Sequence, residues 1–216
     1  MKCNPLCSHL IYHLSSPVIY GHRGASKSAP ENTLAAFELA FKEGAPAIEL
    51  DATLSLDQNV VVIHDDTVDR TTNGHGFVNE LTLKELKKLD AGSKFSEKFR
   101  EERIPTLDEV FDLITADRLV NIELKNYHSI NDQLVPRVCE RVVRRNKKNS
   151  VLLSSFSIRN IHRAQKILPD VPVAWIIAEG GMGKIKISHL LRWLSPDLIH
   201  VEYHLVTKRI LDREHS

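Results

Sequence analysis

Seven short runs rich in Val, Ile and Leu alternate with helical patterns along this chain, and that rhythm constrains the fold more than any other feature. The runs are Val18–His22, Ala47–Leu54, Val60–His64, Leu119–Lys125, Val151–Phe156, Val173–Ala178 and Leu198–Tyr203. Gly, Pro, Asp or Ser bounds them, as strand ends tend to be. Between the first two, Leu34, Phe37 and Phe41 recur at helical spacing from Thr33 to Glu43, with Gly44 as a stop. Thr82 with Glu85, and Thr106 with Glu109, fit capping boxes ahead of apolar helical faces. Ser157 is placed to cap a helix carrying Ile158, Ile161 and Ala164, and Cys139 sits in another helical pattern. Lys184–Leu194 and Thr207–Arg213 complete the set. Strands alternating with helices predict parallel pairing through right-handed crossovers. The stretch 66–105 carries no strong strand and reads as an insertion after the third strand.

The length of 216 residues allows one sizeable core. With 29 Lys+Arg against 28 Asp+Glu the net charge is +1, so there is no global basic field for nucleic acid. No run reaches the ~18–20 apolar residues that a membrane-spanning helix needs. Residues 1–16 read as an N-terminal extension, because His9, His13 and serines interrupt the apolar run Leu10-Ile11-Tyr12. Cys3, Cys7 and Cys139 make an odd count, which favours a reducing, cytoplasmic location over a secreted or periplasmic one.

Ionisable residues inside apolar strands mark the chemistry. In 47–52 the strand period puts Ile48, Leu50 and Ala52 on one face and Glu49 and Asp51 on the other. In 120–125 the same period separates Val120, Ile122 and Leu124 from Asn121, Glu123 and Lys125. A single acid in a strand reads as surface charge. Three carboxylates between aliphatics read as a shared site, because burying each costs several kcal/mol without compensation, about what is expected for desolvated ions. Hard oxygen ligands suit Mg²⁺ or Ca²⁺. His22 and His64 end two strands, where active sites of parallel barrels gather, and imidazole suits proton transfer near neutral pH. Gly21 and Gly24 would let a ligand approach the backbone. Arg23 offers a planar fork for phosphate, and Lys125 offsets negative charge or binds an anion.

These residues fall in an ordered set of motifs. Gly21-His22-Arg23-Gly24-Ala25, Pro30-Glu31-Asn32-Thr33-Leu34, Glu49-Leu50-Asp51, Val62-Ile63-His64-Asp65, Asp69-Arg70-Thr71-Thr72-Asn73-Gly74, Ile104-Pro105-Thr106-Leu107 and Asn121-Ile122-Glu123-Leu124-Lys125 closely resemble the glycerophosphodiester phosphodiesterase family. The resemblance implies an α/β fold, a (β/α)₈ TIM barrel over residues 17–216 with a small insertion after strand 3. It implies hydrolysis of a small-molecule glycerophosphodiester to sn-glycerol 3-phosphate and an alcohol. Carried over, Glu49, Asp51 and Glu123 would hold a divalent metal, Ca²⁺ or Mg²⁺. His22 and His64 would be the acid–base pair, Arg23 and Lys125 would grip the phosphate, and Asn32 would line the pocket. The alternatives are a lysophospholipase-D-like enzyme acting on lipid, and an inactive metal- or phosphate-binding remnant.

The last strand and helices of the family barrel are expected to be lacking, since the chain reaches Ser216 just inside the seventh helix. A fragment, an unstable product, or a homo-oligomer covering the open barrel edge would each account for that. Weaker signals read as structural. Glu179–Lys184 fails the phosphate-loop pattern and reads as a loop near the substrate. His200 and His204 read as ordinary histidines, and the charge runs Lys94–Arg103 and Arg144–Lys148 as solvated faces.

Overall fold

A computed structural model describes residues 9–127, 132–177 and 196–201. The expected segments Lys184–Leu194 and Thr207–Arg213, the loop Glu179–Lys184, and His204, Cys3 and Cys7 lie outside the described residues.

The strands are β1 (Tyr20–His22), β2 (Ala47–Leu54), β3 (Val60–Val62), β4 (Leu119–Leu124), β5 (Val151–Ser155), β6 (Val173–Ile177) and β7 (Leu198–Val201). The helices are α1 (Leu34–Lys42), α2 (Leu83–Leu86), α3 (Leu107–Leu113), α4 (Leu134–Arg144) and α5 (Ile158–Ile167). One sheet runs β1-β2-β4-β5-β6-β7, every pair parallel. It curls into a half-barrel, with α1 against α3, α3 against α4 and α4 against α5 along its outer face. The expected caps are in place. Thr82 and Thr106 form reciprocal capping boxes with Glu85 and Glu109, and Thr33 and Ser157 accept the Ala36 and Asn160 amides.

Strand periodicity assigns the two faces. Ile48, Leu50 and Ala52 join Val120, Ile122, Leu124, Val151 and Leu153 in the core beneath the helices. Phe37 and Phe111 are fully enclosed there. Burial on that scale is worth about 1.5–3 kcal/mol per large side chain. Cys139 belongs to the same core, and burial pushes its thiol up to about 12. Glu49, Asp51, Asn121 and Glu123 take the opposite, inward face, where β2 pairs Glu49 with Asn121 and Asp51 with Glu123.

One expectation is corrected. β3 pairs with β2 antiparallel, with Val60 opposite Leu54 and Val62 opposite Ala52, so it lies beside the barrel path and not in it. Only residues 55–59 connect the two strands. A parallel return needs a crossover of about a dozen residues or more, so a hairpin is the sole option. The hairpin is pinned by Ser55, whose hydroxyl bonds Asp57, and by Gln58 at φ 62. β3 looked like a barrel strand because both its faces are buried. Val60 and Val62 face the main core, while Val61 and Ile63 face a second cluster with Val68, Val78, Leu86 and Ile104. That second cluster is roofed by the 3₁₀ turn Val78–Glu80 and by α2.

Helix packing requires the early glycines. A Cβ on Gly21 would come 2.8 Å from the Ala40 Cβ, and one on Gly24 would come 2.5 Å from the Ala36 backbone. Gly24 also has φ +79. The close approach they permit is that of α1.

Candidate active site

The chain reverses directly after β1. Arg23 and Gly24 adopt φ 55 and 79, and the Gly24 amide bonds the Gly21 carbonyl at 3.0 Å. This turn aims the Arg23 amide at Glu49 Oε2, 3.0 Å away. Asn32, at φ 57, closes the loop by donating its amide to the Arg23 carbonyl at 3.0 Å. Left-handed non-glycine residues are strained, and they persist where surroundings over-determine them. Here the Asn32 side chain supplies that restraint, donating to Asp51 Oδ2 at 2.8 Å and accepting from the Asp51 amide.

Glu49, Asp51 and Glu123 offer carboxylate oxygens that all lie within 4.8 Å of one another. Asp51 is 1% exposed at its side chain, and Glu49 and Glu123 are only slightly more open. Two cations face them. Arg23 Nε lies 3.3 Å from Asp51 Oδ2, and Lys125 Nζ lies 3.6 Å from Asp51 Oδ1 and 3.9 Å from Glu123 Oε1. Three carboxylates against two cations leave negative charge in a desolvated place. Its signature is Glu49, which burial and then the Asp51 charge push up to about 8. Burial likewise raises Glu123. A set of hard, crowded oxygens with surplus negative charge fits a divalent cation.

Both histidines reach this cluster by different routes. His22 is the register partner of Glu49 across β1–β2, and its Nε2 stands 3.8 Å from Glu49 Oε2. Partial burial and then the Arg23 charge hold its imidazole below the usual range. His64 arrives down the antiparallel hairpin, directly after Ile63, whose amide bonds the Asp51 carbonyl at 3.0 Å. The Nδ1 of His64 bonds Asp65 Oδ1 at 2.6 Å. All seven residues singled out from the sequence, His22, Arg23, Glu49, Asp51, His64, Glu123 and Lys125, therefore gather at one end of the half-barrel.

Four further residues complete the arrangement. Arg70 bonds both oxygens of Glu31, at 2.7 and 2.8 Å, and both oxygens of Asp65, at 2.6 and 3.0 Å. Glu31 in turn accepts from Arg23 Nη1 at 3.0 Å. An unbroken ionic chain thus runs Arg23–Glu31–Arg70–Asp65–His64, and it draws Glu31 below and Asp65 well below the usual carboxylate range, chiefly through the Arg70 hydrogen bonds. The fourth residue, Tyr127, donates its hydroxyl to Glu123 Oε1 at 2.7 Å and packs edge-on against Phe156. Glu31, Asp65 and Arg70 lay inside the motif runs, but a contact 39 residues apart leaves no periodic trace. Tyr127 had no sequence signal. His200 is the register partner of Ile176 on β6, and burial lowers its pKa.

The sequence profile of the Glycerophosphoryl diester phosphodiesterase family matches residues 22–216. A glycerophosphodiester phosphodiesterase from Caldanaerobacter subterraneus is 50% identical over 161 residues, covering 72% of this chain and 65% of the relative. Glycerophosphodiester phosphodiesterase 1 of Mus musculus is 49% identical over 186 residues, covering 77% of this chain and 52% of the relative. The chain thus spans less than two thirds of the length of these relatives. Among solved structures, an Oleispira antarctica phosphodiesterase in complex with the product sn-glycerol-3-phosphate superposes with a TM-score of 0.87. It is 29% identical, and the match covers 96% of this chain and 83% of that one. A Thermotoga maritima glycerophosphodiester phosphodiesterase is 30% identical with a TM-score of 0.69, covering 89% of this chain and 76% of the other.

Proposed function

The chain belongs to the glycerophosphoryl diester phosphodiesterase family, and from that membership and the geometry above we propose that it hydrolyses glycerophosphodiesters to sn-glycerol 3-phosphate and an alcohol. The observation that carries the reading is the convergence of Glu49, Asp51 and Glu123 within 4.8 Å at the mouth of the half-barrel, flanked by two histidines. The three carboxylates are the residues that would hold a divalent metal. Such an ion, when bound, adds positive charge against the phosphate oxygens and eases deprotonation of a nearby hydroxyl.

The remaining steps follow from the chain's own side chains. A phosphodiester resists attack because its anionic oxygens repel a nucleophile. Arg23 and Lys125 face the cluster from two sides and stabilise that charge as it shifts. Partial burial and then the adjacent Arg23 cation disfavour the His22 imidazolium, so it takes the proton of the attacking hydroxyl. His64 has its Nδ1 on the Asp65 carboxylate, which orients the ring so that its other nitrogen serves the departing alkoxide as the acid. The odd cysteine count supports a reducing compartment as the place of action. No helix among the described residues is long and apolar enough to cross a membrane.

Release of glycerol 3-phosphate from glycerophosphodiesters, read by a coupled dehydrogenase assay, tests the reading. Hydrolysis that is lost with a chelator and restored by Ca²⁺ or Mg²⁺ supports it. So does a fall of about 10²–10⁴-fold in kcat for His22→Ala or His64→Ala, the usual contribution of a positioned acid or base. No turnover at high enzyme concentration with either metal overturns it.

A further inference from the structure

A second recess opens beside the carboxylate cluster, with a volume of about 490 Å³. That is the size of a small-molecule subsite. It lies past the ends of β2 and β4, and the turn that carries Phe77 and Glu80 forms one of its walls. Lys125 lines it, and the same ammonium stands 3.6 Å from Asp51 Oδ1, so recess and cluster share a wall. Lys125 is the only cation among its lining residues. The other charged members are Asp66, Glu80 and Asp132. Asp132 is already engaged by the Asn126 amide and the Leu134 backbone. Among the described residues Glu80 makes no ion pair or side-chain hydrogen bond, and it is exposed. Phe77 lines the recess with 51% of its surface open.

An open aromatic ring beside an uncommitted carboxylate is the chemistry that recognises a weakly hydrated ammonium group. The ring face attracts the cation through its quadrupole, and the carboxylate adds a full charge. A neutral polyol gains neither. The position relative to the cluster gives the recess its use. A phosphate gripped by Arg23 and Lys125, as in the reading above, would have the ester arm on its Lys125 side next to the recess.

We propose that this recess receives the alcohol arm of the substrate, and that Phe77 and Glu80 select glycerophosphodiesters whose alcohol carries an ammonium group. The inference rests on the phosphodiesterase reading above, and the test separates the two. The full chain is assayed on glycerophosphocholine and on glycerophosphoglycerol, its neutral counterpart, at one Ca²⁺ concentration. The expected ratio of kcat/KM is ~10 in favour of the choline diester, about what one cation–π contact and one exposed charge pair supply together. In Phe77→Ala/Glu80→Gln the ratio falls to below ~3. Should that pair fold poorly, Glu80→Lys at an exposed position inverts the preference.

A ratio near one in the parent chain, or an undiminished ratio in the variants, overturns the proposal. Choline alone, followed by ligand-observed NMR, reads the recess without turnover. Line broadening by the parent that Phe77→Ala removes supports the subsite. If neither diester is hydrolysed while this broadening persists, the phosphodiesterase reading fails and the ammonium selectivity of the recess stands.

Discussion

Arg70 holds both carboxylate oxygens of Asp65, at 2.6 and 3.0 Å, and thereby fixes the acid on which the His64 ring rests. The same guanidinium takes both oxygens of Glu31, which carries the partner contact to Arg23. A planar fork with five donors makes two bidentate contacts at once, and a lysine ammonium does not. Arg70→Lys is therefore expected to keep the charge and lose the geometry. Arg70 acts through His64 and Arg23, so it is a positioning residue. Its loss is expected to lower kcat about 10-fold, in the range measured for outer partners of site residues. The pH profile of kcat should shift with it, because the Asp65–His64 contact loosens. An unchanged kcat and pH profile would show that the ionic chain is decoration on a half-exposed surface.

Tyr127 sets the orientation of Glu123 through a 2.7 Å hydrogen bond, while its ring packs on Phe156. Tyr127→Phe keeps the packing and removes only the donor. Affinity for Ca²⁺ or Mg²⁺, read by calorimetry, is expected to weaken about 10-fold, as for other partners that orient a metal ligand. Equal affinity in the two proteins contradicts the assignment of Glu123 as a ligand.

Crowding of carboxylates makes the metal-free chain pH-sensitive. Glu49 is pushed up to about 8 in the native state, whereas an unfolded glutamate titrates near ~4.3. The native chain then holds a proton that the unfolded chain has released, so stability falls as pH rises toward 8 and levels beyond it. His9, His22 and His200 are held below their usual range and act in the opposite sense, but only up to ~6.5. Between pH 7 and 8 these histidines no longer oppose the effect, while Glu123 and the Cys139 thiol, both raised by burial, add to it in the same sense, so Glu49→Gln is the variant that singles out Glu49. Tm in chelator is expected to fall across that window, and Glu49→Gln is expected to flatten the slope. A Tm that rises from pH 7 to 8 contradicts the protonation sign.

Gly24 combines φ +79 with a site where a Cβ would stand 2.5 Å from the Ala36 backbone. Gly24→Ala is expected to cost about 3 kcal/mol, from the left-handed backbone and the displacement of α1 together. Urea denaturation measures it. A loss under about 1 kcal/mol would mean that α1 shifts freely, against the tight packing of Ala36 and Ala40.

The sequence by itself determined a good deal. Strand period two separated Ile48 and Leu50 from Glu49 and Asp51, because alternate side chains must leave a pleated backbone on opposite faces. Capping boxes at Thr82 and Thr106 were equally readable, because their partners lie three residues away. Even the direction of β3 was written locally, since the five residues between Leu54 and Val60 are too few for a parallel crossover. It was obscured because a run buried on both faces looks the same in either direction.

Tertiary structure alone decided the rest. It set how far the antiparallel hairpin lowers His64 beside Asp51, which glycines meet α1, and that Arg70 spans Glu31 and Asp65. These are contacts between residues far apart in the chain. Their distances depend on how the sheet curls and where helices rest on it, and no periodicity or spacing along the sequence encodes that geometry.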